Sequence, residues 1–323
     1  MRPAIIDYDH GISALDSGFI RPWLAAIYLI VEEGRAAIVD TGSNACADAV
    51  LAALTHKQIA PERVDYVILT HIHLDHAGGA GLLMCRLPHA RLCVHPRGVR
   101  HMVDPERLIQ STVDVYGAEH ARTVYGDILP VPEDRIVATP EGACVALAGR
   151  ELRFIETPGH ARHHCCIVDA HSRSLFAGDT FGLAYRELEA HGRRSVFPTT
   201  SPVQFDPEAL HASIDRIVSL RPERVFVTHF GGIGEIDRLG EDLHRLIDAH
   251  VALARAHAHA GERRHALLKQ GIERMLLEEA KRQAWPLAAA EVLEVFATDI
   301  ELNAQGLGVW LDSDSALKAP AVP

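Results

Sequence analysis

The stretch VILTHIHLDHAGG, residues 67–79, runs apolar for three residues and then, between His71 and His76, sets down three histidines and an aspartate. Side chains two apart on extended backbone point to the same side, so His71 and His73 can converge on one ion, while the following turn redirects Asp75 and His76 toward another. Neutral imidazole binds zinc, iron or manganese, and a carboxylate compensates their charge. The spacing H-x-H-x-D-H directly after an apolar run predicts metal binding at the end of a buried strand.

Three more residues repeat this placement. His160 follows FIETPG, Asp179 follows SLFAG and His229 follows RVFVT, each an apolar run that stops at Gly or Thr. Around them the chain reads as an α/β layered protein. LAAIYLIVEEGRAAIVD (24–40) predicts two strands turning at Gly34, followed by a helix over 45–56, a strand over 66–69 and a further strand at ARLCVHP (90–96). Segment 100–130 is expected to be a helical insertion. Hairpins are expected around Gly149-Arg150 and near His171-Ser172, then a helix over 207–220 and a strand over 225–228. We place a metallohydrolase domain at 1–240 and a C-terminal helical extension at 241–323, where apolar residues such as Leu268, Ile272, Met275 and Leu276 recur at helical intervals. Those apolar faces need a partner, either the main domain or a second copy of the chain, and a homodimer through these helices is expected. The last residues, 316–323, read as frayed.

Composition narrows the function classes. Hydrophobic residues make up 48% and charged residues 23%, the proportions of an ordinary globular protein with a sizeable core. The formal charge of −11 argues against a nucleic-acid partner. The apolar run at 25–31 is too short to span a membrane, no basic segment with a small-residue cleavage site precedes it, and neither a secretory leader nor a location outside the cytoplasm is expected. The six cysteines show no framework spacing and are expected to be reduced and mostly buried. Most of the twenty-one histidines read as solvated helix surface.

The set IVDTG (38–42), THIHLDHAGG (70–79), TPGH (157–160), AGDT (177–180) and VTHFG (227–231) resembles the metallo-β-lactamase-fold hydrolases, in particular the branch that looks like glyoxalase II. The resemblance runs from about residue 24 to residue 232. It implies a four-layer αβ/βα sandwich, with His71, His73 and His160 on one ion, Asp75, His76 and His229 on a second, and Asp179 bridging. It also implies that Asp40 orients a ligating imidazole through its other nitrogen.

Two ions roughly 3.5–4 Å apart can share a water, lower its pKa from about 16 toward 7 and deliver hydroxide to a carbonyl or phosphoryl centre. Asp75, beside that water, can accept or pass a proton. The expected activity is therefore hydrolysis of a small ester, thioester or lactone with two divalent ions, zinc ahead of iron or manganese. An iron-dependent persulfide dioxygenase and a phosphodiesterase are the alternatives. His164 and Tyr185, just beyond His160 and Asp179, are candidate substrate contacts, and 193–207 is either a wall of the site or a connecting loop. The basic C-terminal region with which glyoxalase II holds glutathione has no match in the acidic helices here. Lactonases of this fold place a tyrosine closer behind the bridging aspartate than Tyr185 lies.

Overall fold

The computed structural model describes residues 4–313, and the fraying expected at 316–323 lies outside them. The chain divides into two compact units. The first holds the chain up to Glu156 together with His163–Gly178 and Pro222–Gly234; the second holds Thr157–Arg162, Asp179–Arg221 and the chain from Glu235 onward.

Both sheets belong to the first unit. One has seven strands in chain order: β1 (Ile5–Asp7), β2 (Ile12–Asp16), β3 (Ala26–Glu32), β4 (Arg35–Val39), β5 (Val64–Ile68), β6 (Arg91–Val94) and β7 (Ile136–Ala138). β1 to β4 pair antiparallel and β4 to β7 parallel. The parallel half is built by crossovers through α1 (Ala47–His56), through α2 (Leu74–Ala77) and α3 (Ala80–Arg86), and through α4 (Pro96–Val103), α5 (Glu106–Tyr116) and α6 (Ala118–Tyr125). The second sheet has six strands: β8 (Cys144–Leu147), β9 (Arg150–Glu156), β10 (Cys165–Asp169), β11 (Ser174–Gly178), β12 (Arg224–Val227) and β13 (Gly231–Ile233). Only β11 and β12 run parallel in it, through a crossover that leaves the unit after Gly178 and returns at Pro222.

The central strands are apolar on both faces because both are covered. Along β3 and β4, Ile27, Leu29, Ala36 and Ile38 face α1 and α3, where they meet Val50, Leu54, Leu83 and Met84. The alternate residues Tyr28, Ile30, Ala37 and Val39 face the second sheet and meet Phe154, Phe176 and Phe226. This period of two locks the register, since a one-residue slip would exchange the two cores. The expected strands, hairpins and the helical insertion at 100–130 are present. β1, β2, β7 and β13 are additional; three of these are only three residues long, too short to leave a readable alternation.

One buried polar group ties the hairpins together. Arg150, closed off from solvent, grips the fully buried carboxylate of Asp169 through Nε (3.1 Å) and Nη2, and donates to the carbonyl of His10 at 2.6 Å.

In the second unit, α7 (Pro207–Ser219) packs on α8 (Ile236–Ala256), which with α9 (Arg264–Gln283), α10 (Ala289–Val295) and α11 (Ala297–Ser313) forms the C-terminal helices. Leu268, Ile272 and Leu276, from whose faces a second copy was inferred, are fully buried within the chain itself. Segment 193–207 packs on these helices: Ser195 accepts from the Trp285 indole at 2.8 Å, and Asn303 accepts from the Thr200 N–H at 2.7 Å. Four of the six cysteines, Cys46, Cys93, Cys165 and Cys166, are buried. Among the described residues no helix is long and apolar enough to cross a membrane.

Asp169→Ala leaves the buried guanidinium of Arg150 with only Glu32, 3.2 Å from its Nη1, as counter-charge. It is expected to cost about 3–5 kcal/mol in urea unfolding; a loss below about 1 kcal/mol would show that the pair contributes no stability.

Candidate metal centre

The ligand-bearing segments leave the C-terminal ends of parallel strands, where open α/β sheets place their sites. After β5, Leu69 makes the last ladder bond, to the Cys93 carbonyl, and the chain turns away. His73, in extended conformation, caps the single turn of α2, which carries Asp75 and His76. The loop after β4 fastens this turn, since the Thr41 N–H and hydroxyl both donate to the His76 carbonyl at 2.7 Å. Gly79 is required here: a Cβ would sit 2.8 Å from the Ser43 carbonyl oxygen and 3.0 Å from that of Thr41.

Asp40, buried and left-handed at φ +59°, lies at the centre of these segments. Its Oδ1 accepts from the Thr70 N–H at 2.9 Å and from the Thr70 hydroxyl at 3.0 Å. Its Oδ2 accepts from the Thr228 hydroxyl at 2.9 Å and from Nδ1 of His76 at 2.8 Å. Three strand ends therefore converge on one carboxylate.

These bonds also set tautomers. A carboxylate facing Nδ1 of His76 places the proton there, and the Leu24 carbonyl, 3.0 Å from Nδ1 of His229, does the same for the second ring. Each neutral ring then presents the lone pair of Nε2. Oδ2 of Asp75 lies 3.3 Å from one Nε2 and 3.4 Å from the other, and the three ligand atoms fall within 4.8 Å of one another. Two imidazole lone pairs and a carboxylate turned toward one point form a donor set for a divalent cation. With no cation in place the two rings can instead be protonated; burial then raises the Asp75 carboxyl, but the charge of His76 and the hydrogen bond from His229 outweigh it and hold the group well below the usual carboxylate range.

His71 and His73 sit beside this group. Nδ1 of His71 is 3.1 Å from the Thr70 hydroxyl oxygen, and its Nε2 is 3.0 Å from Nδ1 of His73, with the rings nearly perpendicular. The pair thus offers one Nε2 and one Nδ1 side by side, as the i, i+2 spacing requires. His164 is buried with its ring 5.0 Å from that of His71. Burial and the charge of His73 push His163 down to about 3, so it is neutral near pH 7.

The second unit brings His160 and Asp179 together, with Nε2 3.6 Å from Oδ2 and both residues buried. The TPGH turn is held on α7: the Ser213 hydroxyl donates to the Pro158 carbonyl at 2.6 Å, and the Asp206 N–H donates to the Gly159 carbonyl at 2.8 Å. Gly159, at φ +129°, has the Leu210 backbone 2.4 Å from where a Cβ would be, so no other residue fits. Tyr185 points elsewhere: its hydroxyl donates to the carboxylate of Asp299 on α11, at 3.1 and 3.2 Å, and its ring lies beside Phe296.

Sequence reading gave no role to a cleft of about 270 Å³ in the first unit, lined by Leu74 and by Ile109, Val113, Ala121, Arg122 and Tyr125 of α5 and α6. Leu74 lies between His73 and Asp75 in the chain, so the helical insertion borders the ligand-bearing turn. The mixture of aromatic, aliphatic and basic residues in 100–130 was its only trace in the sequence.

This chain belongs to the metallo-beta-lactamase superfamily, whose family profile matches residues 20–229. It is 28% identical over 227 residues to a metallo-beta-lactamase fold-containing protein of Sulfurisphaera tokodaii, covering 68% of this chain and 78% of that protein. It is 30% identical over 196 residues to the hydroxyacylglutathione hydrolase of Xanthomonas euvesicatoria, covering 60% of this chain and spanning only 56% of that enzyme. The crystal structure of an archaeal superfamily member from Sulfolobus tokodaii superposes with a TM-score of 0.63 over 93% of this chain and 99% of that one, at 23% identity. The two sheets with their helices match the metallo-β-lactamase fold, with C-terminal helices added.

Asp40→Asn removes the charge that fixes the tautomer of His76. It is expected to weaken zinc retention about 10–100-fold in a chelator competition, and unchanged retention would show that the carboxylate has no part in holding metal.

Proposed function

We propose that this protein is a dinuclear metal-dependent hydrolase acting on a small ester, thioester or lactone. The observation that carries the reading is the pair of Nε2 lone pairs on His76 and His229, both fixed in tautomer by Nδ1 partners and both facing the Asp75 carboxylate. In this reading Asp75, His76 and His229 hold one cation and His71, His73 and His160 a second, with Asp179 between them. Chain connectivity supports it: His160 lies on the segment joining β9 to β10, and Asp179 directly follows β11. Family membership and the hydroxyacylglutathione hydrolase relatives support it further. Imidazole and carboxylate donors suit zinc, iron or manganese, and zinc is the commonest occupant of such sets in hydrolases.

When bound, two divalent ions would supply Lewis acidity to lower the pKa of a water and polarise a carbonyl. The protein groups do the rest. Asp75, whose carboxylate lies beside both rings, would accept a proton from that water and return it to the departing oxygen or sulfur. The cleft beside Leu74 takes the acyl group on Ile109, Val113 and Tyr125, with Arg122 for a polar substituent. Asp40 keeps His76 from turning during the cycle.

Chelator-treated protein is expected to lose hydrolysis of aryl esters, acyl thioesters and lactones, and to recover it with zinc. His229→Ala is expected to lower kcat/KM by roughly 100-fold or more, beyond the usual effect of losing an outer partner. Metal-dependent oxygen uptake with a persulfide, or cleavage of a bis-aryl phosphate without ester turnover, would instead assign one of the two alternative chemistries.

A further inference from the structure

A second histidine cluster lies in the second unit, between α7 and α8. Nδ1 of His211 and Nδ1 of His244 face each other at 2.5 Å. Their ring centres are 4.8 Å apart, which is that gap plus two ring radii, and their planes differ by 14°. The rings therefore meet edge to edge, nearly coplanar, with the two nitrogens aimed along one line.

Each ring is anchored from behind by a carboxylate of the opposite helix. Nε2 of His211, on α7, is 3.1 Å from Oδ1 of Asp248 on α8; Nε2 of His244, on α8, is 3.0 Å from Oδ1 of Asp215 on α7. A carboxylate facing Nε2 places the proton of a neutral imidazole there. Both Nδ1 atoms are then left with lone pairs pointing at each other, an arrangement that is repulsive unless a positive charge lies between them. Carboxylate behind, imidazole in front and lone pair toward a common point is the arrangement by which proteins orient histidine toward a metal.

We propose that His211 and His244 form a separate site for a single borderline divalent cation such as Zn²⁺, with Asp215 and Asp248 orienting the two rings and water completing the coordination. Metal–nitrogen bonds of about 2.0–2.1 Å at a tetrahedral angle require the nitrogens to separate to roughly 3.3 Å and both rings to swing off their common line. Both side chains are about one-quarter exposed, which leaves room for that adjustment and for an ion to enter from solvent. The ion would join α7 to α8, so its binding is coupled to the stability of that helix pair.

Zinc is titrated calorimetrically into the protein as isolated, after dialysis to remove loosely held metal. The native protein is expected to take up one more equivalent than His244→Ala, and to gain thermal stability with zinc that the variant does not gain, while hydrolytic activity is the same in both. Asp248→Asn, which changes only an exposed side chain, is expected to weaken this equivalent about 10–100-fold. Identical isotherms for the native protein and His244→Ala, or an isotherm unmoved by Asp248→Asn, would overturn the proposal.

Discussion

The carboxylate of Asp40 is the constraint on which the rest of the first unit depends. It sits one residue beyond β4, in a left-handed conformation, and accepts hydrogen bonds from Thr70 and Thr228, just beyond β5 and β12, as well as from His76. A buried carboxylate is costly unless its lone pairs are filled, and here four donors fill them. The same bonds that satisfy Asp40 decide where three chain segments stop being strand. They also decide which nitrogen of His76 is free. Fold and donor set are consequently one problem with one solution, because moving a strand end by a residue would break a bond that also orients a ligand.

The packed sheets make that solution rigid. Tyr28, Phe176 and Phe226 fill the space between the sheets with ring centres 5.0–5.3 Å apart, and the Tyr28 hydroxyl donates to the carbonyl of Val227, the last residue of β12. The core thus reaches to within two residues of His229 and fixes the origin of the segment that bears it. Donors held this way reach a cation with little reorganisation, which is the condition for metal-assisted chemistry.

Much of this was legible in the sequence because the information is local. A strand that ends in H-x-H-x-D-H needs no partner to be noticed, and His160, Asp179 and His229 repeat the strand-end placement singly. The tautomer logic was not legible, because it rests on bonds such as that between Asp40 and Thr228, 188 residues apart in the chain. Tyr185 shows the same limit: proximity in sequence to Asp179 suggested a substrate contact, whereas its hydroxyl is engaged by Asp299, 114 residues on. His211 and His244 read as two more histidines on solvated helices, and only the register between α7 and α8 sets their nitrogens face to face. The resemblance to the superfamily suggested a full set of seven candidate ligands at once, but it carried no information on this pair or on the cleft beside Leu74.

Crystals grown with zinc and measured on both sides of its absorption edge test the central claim most directly. Two anomalous peaks roughly 3.5–4 Å apart are expected, one ligated by Asp75, His76 and His229 and the other by His71, His73 and His160, with Asp179 touching both. Density showing no metal among these seven side chains, or a single ion leaving one trio of ligands uncoordinated at saturating zinc, would contradict it.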